Sequence, residues 1–264
     1  MSETVAIAGS GTIATGLAVT AARHAEVVLW ARSDASADRA RAAITKQGGK
    51  LEIDVSGVTV TTEQADLARG TVIIEAVSED AATKGVVLGA IAAIATPQAI
   101  IASTTSSLSI ERLAEASGTP ERFVGLHVFN PVPAMELVEL IFPAAATEDT
   151  KTRTRTLVEL WGKTGVELPD TPGFVVNKLL FPYLFSAVEL HEQTGVAPAE
   201  IDTAMKLGAG HPMGPFALLD FVGLDVSKAI GEVIGAAIPA KLEALVAEGK
   251  LGRKSGEGFL DWRR

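Results

Sequence analysis

Val5-Ala6-Ile7-Ala8-Gly9-Ser10-Gly11-Thr12-Ile13-Ala14-Thr15-Gly16 is the stretch that decides the fold. Four apolar residues of strand type run into Gly9. A helix-compatible segment follows from about Thr12 to His24. The glycines form a G-x-G-x-x-A pattern. Gly9 permits a tight turn. Gly11, lacking a side chain, lets a pyrophosphate approach the backbone at a helix N-terminus. Ala14 is small enough for close helix–strand packing, and Gly16 extends that smooth face. Glycine-rich turns are common, and the alternative is a tight structural turn. Placed between a strand and a helix, however, the pattern points to a dinucleotide site. Gly9, Gly11, Thr12, Ile13 and Ala14 are its candidate cofactor-binding residues.

Beyond this stretch, strand-like and helix-like segments alternate. Glu26–Ala31 reads as a strand, and residues 34–47 as a helix broken by Gly48-Gly49. Val58–Thr61 is a short strand. Thr71–Val77 and Ala99–Ser103 are clearer strands, with a helix from about Asp80 to Ala95 between them. Near-continuous apolar strands separated by helices imply an α/β domain with a parallel sheet covered on both faces. Beyond Pro172-Gly173 the pattern changes to long helical stretches over residues 174–250, interrupted by the breaker cluster Gly208–Pro215. The boundary falls near Thr171.

The chain has 264 residues, no cysteine, and 23 Lys+Arg against 32 Asp+Glu, for a net charge of −9. Disulfides, thiolate metal sites and cysteine nucleophiles are excluded. No His/Asp/Glu cluster has metal-ligand spacing, so no metal is expected. A body this acidic has no general attraction for nucleic acid or for an anionic membrane surface. The longest apolar stretch is bounded by Lys84 and Pro97 and is too short for a bilayer span. The first residues do not resemble a signal peptide, and the expectation is a cytoplasmic protein.

The second strand ends Leu29-Trp30-Ala31-Arg32-Ser33. An acidic side chain normally reads the ribose of NAD about 20 residues beyond the loop. Here Ala31 stands at that place, followed by Arg32 and Ser33. A guanidinium and a hydroxyl would bind the 2′-phosphate that a carboxylate repels. NADP(H) is therefore favoured over NAD(H). The alternative is a solvated Arg32 with Asp34 reading the ribose.

Residues 103–139 carry the chemistry. Ser103-Thr104-Thr105-Ser106-Ser107 follows a buried strand, where open α/β sheets bind ligands. Ser109 reads as the cap of the next helix, which leaves Ser106 available. In the stretch from Phe123 to Pro133 a strand ends near His127, after which Asn130-Pro131-Val132-Pro133 redirects the chain. In the next apolar run, Met135–Ile141, Glu139 is a charge that burial would penalise unless it were paired. His127 is the nearest partner on the returning chain. A histidine oriented by a carboxylate is a general base. Spacing alone leaves a purely structural histidine open. His191 reads as solvated, and His211 as a turn residue.

At this point the chain resembles the L-3-hydroxyacyl-CoA dehydrogenases. The likeness runs through "SSLSIERLAE", "RFVGLHVFNPVPAMELVELI", "DTPGFVVNKLLFPYL", "IDTAMKLGAGHPMGPFALLDFVGLD" and "GRKSGEGF". The resemblance implies a Rossmann-like doubly wound sheet followed by an all-helical C-terminal domain. Residues 1–171 would form the dinucleotide-binding domain, and residues 172–264 a helical substrate and dimerisation domain. His127 matches the family's catalytic base and Glu139 its partner. Ser106 and Asn177 match residues that hydrogen-bond the substrate oxygen, and Asn130 an asparagine near the nicotinamide. Glu79 and Lys84 match residues that contact the cofactor.

Three departures stand out. Thr104 replaces an asparagine of the family's Ser-Asn-Thr-Ser-Ser, although its hydroxyl remains a candidate cofactor contact. Ala31-Arg32 replaces the acidic position. Residues 34–60 are shorter than the Lys-rich hairpin that helps cover the acyl-CoA. The expected activity is an NAD(P)-dependent dehydrogenation of a short-chain (S)-3-hydroxyacyl-CoA, with a homodimer as the assembly. The alternatives are a dehydrogenase of a free 3-hydroxy acid or sugar acid, and a catalytically silent structural relative.

Overall fold

The computed structural model describes residues 3–263; Met1, Ser2 and Arg264, at the outer ends of the two expected domains, lie outside the described residues. The chain divides into two compact units, Met1–Thr171 and Pro172–Arg264.

Unit 1 is built on one sheet of eight strands. They are β1 Val5–Ala8, β2 Val27–Trp30, β3 Val58–Thr61, β4 Val72–Glu75, β5 Ile100–Ser103, β6 Phe123–Val128, β7 Leu137–Ile141 and β8 Thr164–Glu167. Side by side they run β3-β2-β1-β4-β5-β6-β7-β8. The strands from β3 to β6 are mutually parallel, β7 is antiparallel to β6, and β8 is parallel to β7. The order reverses between β1 and β4. That switch point opens a crevice at the carboxyl ends of the strands, where doubly wound sheets place their ligands. The helices are α1 Thr12–Ala21, α2 Asp34–Leu51, α3 Ala81–Ile94, α4 Ile110–Ser117 and α5 Glu148–Leu160. Ser33, Asp80, Ser109 and Thr147 cap the last four, each accepting a first-turn backbone N–H. Val5, Ile7, Leu17, Val27, Leu29, Val72 and Ile74 form the centre of the core between sheet and helices.

Gly48-Gly49 does not break α2 as expected; the helix continues to Leu51. It stops where Glu52 turns left-handed (φ 55°) and its N–H returns to the Gly48 carbonyl. A Cβ on Gly48 would come within 2.8 Å of Val55 Cγ1. The glycine therefore lets the returning chain pack against the helix. α1 is shorter than expected: it ends at Ala21, and His24 belongs to the turn that follows. Two elements have no counterpart in the sequence expectations. α5 is mostly polar, and β8 is exposed along its whole length and lacks an apolar run. β8 exists because β7 supplies a parallel partner, Leu137 pairing with Thr164.

Unit 2 contains α6 Val176–Thr194, α7 Pro198–Gly208, α8 Pro215–Val222, α9 Leu224–Ile234 and α10 Ala240–Ala247. Phe181, Leu184, Phe185, Val188, Phe216, Leu219, Leu224 and Leu242 pack its core. The breaker cluster separates α7 from α8. Asp202 organises it by accepting the N–H groups of Phe216 (2.8 Å) and Ala217 (2.9 Å). His191 is not merely solvated: its Nδ1 meets the Val196 carbonyl at 2.8 Å, just past the end of α6. His211 contacts the Tyr183 hydroxyl at 3.2 Å.

Candidate active site

A cleft of about 780 Å³ lies at the carboxyl ends of the strands of unit 1. The glycine loop forms one wall. Gly9 sits at φ +141°, and a Cβ there would run into the Ala76 carbonyl oxygen, so the turn requires glycine. Gly11 is the residue before α1, and a Cβ on it would meet nothing within 4 Å. The first turn of α1 has neither a side-chain cap nor an acidic residue. Backbone N–H groups at an uncapped helix start, open to a cleft, suit a pyrophosphate. A dinucleotide therefore fits the residues present. Gly9, Gly11, Thr12 and Ile13 all line the cleft, whereas Ala14, in the first turn of α1, is buried and does not.

His127 lines the same cleft. It faces Glu139 directly across the antiparallel β6–β7 pair. Its Nδ1 lies 2.6 Å from Glu139 Oε2, with both residues buried. Residues opposite one another on antiparallel strands place their side chains on one face, so twelve residues of separation collapse into one hydrogen bond. A carboxylate can only accept here. Nδ1 is therefore the donor in this hydrogen bond. The Phe129 ring packs against the imidazole, with centroids 4.5 Å apart.

Under the cleft lies a buried polar network. Glu75 ends β4 and is fully buried. Its carboxylate accepts from Lys84 Nζ at 2.8 and 3.0 Å, from Ser103 Oγ at 2.6 Å and from the Val77 N–H at 2.7 Å. Lys84 is buried too and also reaches Glu79, at 3.4 Å. Glu79 Oε1 holds the serine-rich turn. It accepts from the Thr105 hydroxyl (2.6 Å), the Ser106 N–H (2.8 Å), and the Ser107 N–H (3.1 Å) and hydroxyl (2.8 Å). Ser106 Oγ lies 3.3 Å from the same oxygen. Burial alone would raise the Glu79 pKa. The Lys84 charge and the donors from Thr105, Ser107 and Ser106 outweigh it and hold the carboxyl below its ordinary value. Glu79, Lys84, Thr104 and Ser106 all face the cleft.

The Asn130–Pro133 segment beyond β6 is held from two sides. A Cβ on Gly16 would come within 2.9 Å of Val132 Cβ, so that glycine serves contact with this segment. Lys163 donates to the carbonyls of Val132 and Met135, both at 2.7 Å. Burial pushes the Lys163 ammonium below its usual pKa. Asn130 itself is exposed.

Arg32 lines the cleft, while Ser33 caps α2. Glu139 lies behind His127 and does not line the cleft. Asn177 belongs to unit 2, buried in the first turn of α6. Sequence reasoning missed Glu75, although a charge inside the apolar run of β4 is the same signal that exposed Glu139. It also missed Ser36 and Arg39, which line the cleft from α2.

Comparison with known proteins agrees over both units. Residues 4–171 match the model for the NAD binding domain of 3-hydroxyacyl-CoA dehydrogenase, and residues 173–262 match its C-terminal domain. The chain is 41% identical over 222 residues to the mitochondrial hydroxyacyl-coenzyme A dehydrogenase of Rattus norvegicus, covering 81% of this chain and 71% of that one. It is 39% identical over 282 residues to the 3-hydroxybutyryl-CoA dehydrogenase of Bradyrhizobium diazoefficiens, covering 98% and 95%. Among solved structures it is similar to the (S)-3-hydroxybutyryl-CoA dehydrogenase of Ralstonia eutropha, with a TM-score of 0.93 and 34% identity over the whole of both chains.

Proposed function

This chain belongs to the 3-hydroxyacyl-CoA dehydrogenase family, and on that premise we propose that it interconverts a short-chain (S)-3-hydroxyacyl-CoA and its 3-oxo form, with NADP(H) preferred. The observation that carries the reading is the His127–Glu139 pair opening into the cleft that holds the glycine loop. Gly9, Gly11, Thr12 and Ile13 would hold the pyrophosphate. Glu79, Lys84, Thr104 and Asn130 would stand toward the ribose and nicotinamide side. Bound nicotinamide supplies the two-electron half of the chemistry, taking or returning a hydride at the carbinol carbon.

The rest is done by side chains. In oxidation, His127 Nε2 takes the hydroxyl proton while Glu139, bonded to Nδ1, fixes the tautomer and balances the charge that the ring acquires. In reduction, the same imidazolium gives the proton to the developing alkoxide. Ser106 and Asn177 would donate hydrogen bonds to the substrate oxygen and stabilise its charge. The single helix α2 fills residues 34–51, where the resembling family has a longer hairpin that helps cover the acyl-CoA. A homodimer belongs to the same proposal: unit 2 leaves Leu179, Leu207, Val226 and Val233 exposed, apolar surface suited to a second copy. No described helix is long and apolar enough to cross a membrane.

The deciding assay compares acetoacetyl-CoA with free acetoacetate as oxidants of NADPH and NADH. Turnover of the thioester alone is expected. Turnover of the free acid at equal efficiency would reject the acyl-CoA assignment. Glu139→Gln keeps the shape but removes the charge, and is expected to lower kcat by about 10²-fold or more. KM and the thermal midpoint should hold, since a merely structural side chain would move the midpoint instead. Unchanged kcat would remove Glu139 from the mechanism. Arg32→Glu is expected to shift the ratio of kcat/KM for NADPH over NADH toward NADH by about tenfold or more. An unmoved ratio would show that Arg32 does not read the phosphate.

A further inference from the structure

We infer that Arg39, on α2, joins Arg32 to form a two-guanidinium site for the 2′-phosphate of NADP(H), with Ser36 fixing the second arginine in place. The inference rests on the dinucleotide reading above and adds to it a residue that decides cofactor specificity.

Arg32, Ser36 and Arg39 line the same cleft as the glycine loop, together with Trp30 at the end of β2. Arg32 leaves β2 just ahead of α2, and Arg39 stands further along that helix. Ser36 is buried between them in sequence and accepts from Arg39 Nη2 at 3.0 Å. Ser33 Oγ lies 3.1 Å from the same hydroxyl. Arg39 is thus tethered at one nitrogen, while four of its five N–H donors stay available to a ligand.

The charge balance argues for an anion. Arg41, Arg122, Arg153 and Arg155 each pair with a carboxylate. Among the described residues, neither Arg32 nor Arg39 has an acidic partner within ion-pair distance. Two acids stand on the same turns of α2, Asp34 and Asp38. Neither lines the cleft, and Asp38 is taken by Arg41 at 2.7 Å. Among the described residues Arg23, Arg112 and Arg253 also lack an acidic partner; Arg32 and Arg39 differ from them in lining the dinucleotide cleft together. Ala31, at the place of the ribose-reading acid, is fully buried and offers no acceptor for a ribose hydroxyl. A dianionic phosphate would neutralise both cations through charge-assisted hydrogen bonds, in a geometry that guanidinium forks favour. NAD(H) lacks that phosphate and leaves both charges uncompensated.

The test uses adenosine 2′,5′-bisphosphate and 5′-AMP, which carry the adenosine half of each cofactor and no nicotinamide. Binding to the full chain is measured by calorimetry. The wild type should prefer the bisphosphate by about tenfold or more, and the preference should weaken with salt. Arg39→Ala should lose most of that preference, and Arg39→Lys, which keeps the charge but not the fork, should lose part of it. Equal affinity for the two nucleotides in the wild type, or an unchanged preference in Arg39→Ala, would overturn the site while leaving the dehydrogenase reading intact. Binding of neither nucleotide would overturn the dinucleotide reading beneath it.

Discussion

Replacing His127 by alanine is expected to lower kcat by about 10² to 10⁴-fold, the range that a positioned general acid or base contributes. The argument rests on position. His127 ends a buried strand, lines the cleft, and has its Nδ1 committed to Glu139 at 2.6 Å. In the proposed mechanism the other ring nitrogen, Nε2, takes the substrate proton, and alanine has nothing to put there. Dinucleotide affinity should change little, because the contacts proposed for it, at the glycine loop and Arg32, lie on other elements. His127→Gln separates lost proton transfer from lost packing. Its amide can still donate to Glu139, so the fold should be kept while kcat stays low. Near-normal kcat in either variant, with acetoacetyl-CoA as oxidant, would remove His127 from acid–base chemistry.

The second large effect is on stability. Lys84→Met should destabilise the protein by about 3–5 kcal/mol, because the buried Glu75 carboxylate loses the cation that balances it. Ser103 and the Val77 N–H would still donate to it, but neither carries a charge. The expected drop in thermal midpoint is roughly 6–20 °C for a chain of this size. The double variant Glu75→Gln/Lys84→Met removes both charges together and should recover a large part of the loss. A single-variant loss below about 1 kcal/mol, or a double variant no better than the single, would show that the pair is not coupled in this way. Because Lys84 also faces the cleft, the melting curves should be read without nucleotide.

Much of the site was legible in the sequence because backbone constraints leave local marks. A tight turn at positive φ needs glycine, so Gly9 announces itself, and Gly11 leaves open space at the helix N-terminus. A carboxylate inside an apolar strand needs a partner, so Glu139 does too, and Glu75 would have by the same rule. Ser109 was recognisable as a cap because a helix start leaves N–H groups that a hydroxyl can accept. Gly48-Gly49 misled because glycine usually ends helices. There the tertiary requirement, room for Val55, outweighs the local preference. β8 was invisible because an exposed edge strand has no apolar pattern, and its pairing comes from β7.

The alternation of strands and helices from β1 to β5, the turn at Gly9 and the change to helical pattern beyond Pro172 were determined by the sequence itself. These follow from apolar periodicity and backbone freedom, which act over a few residues. Only the tertiary structure decided which distant groups meet. The antiparallel register of β6 and β7 sets His127 against Glu139, the parallel register of β4 and β5 sets Ser103 beside Glu75, and the course of α2 brings Arg39 to the cleft that Arg32 lines. Those meetings depend on strand pairing and helix docking across the whole core, and no short stretch of chain contains that information.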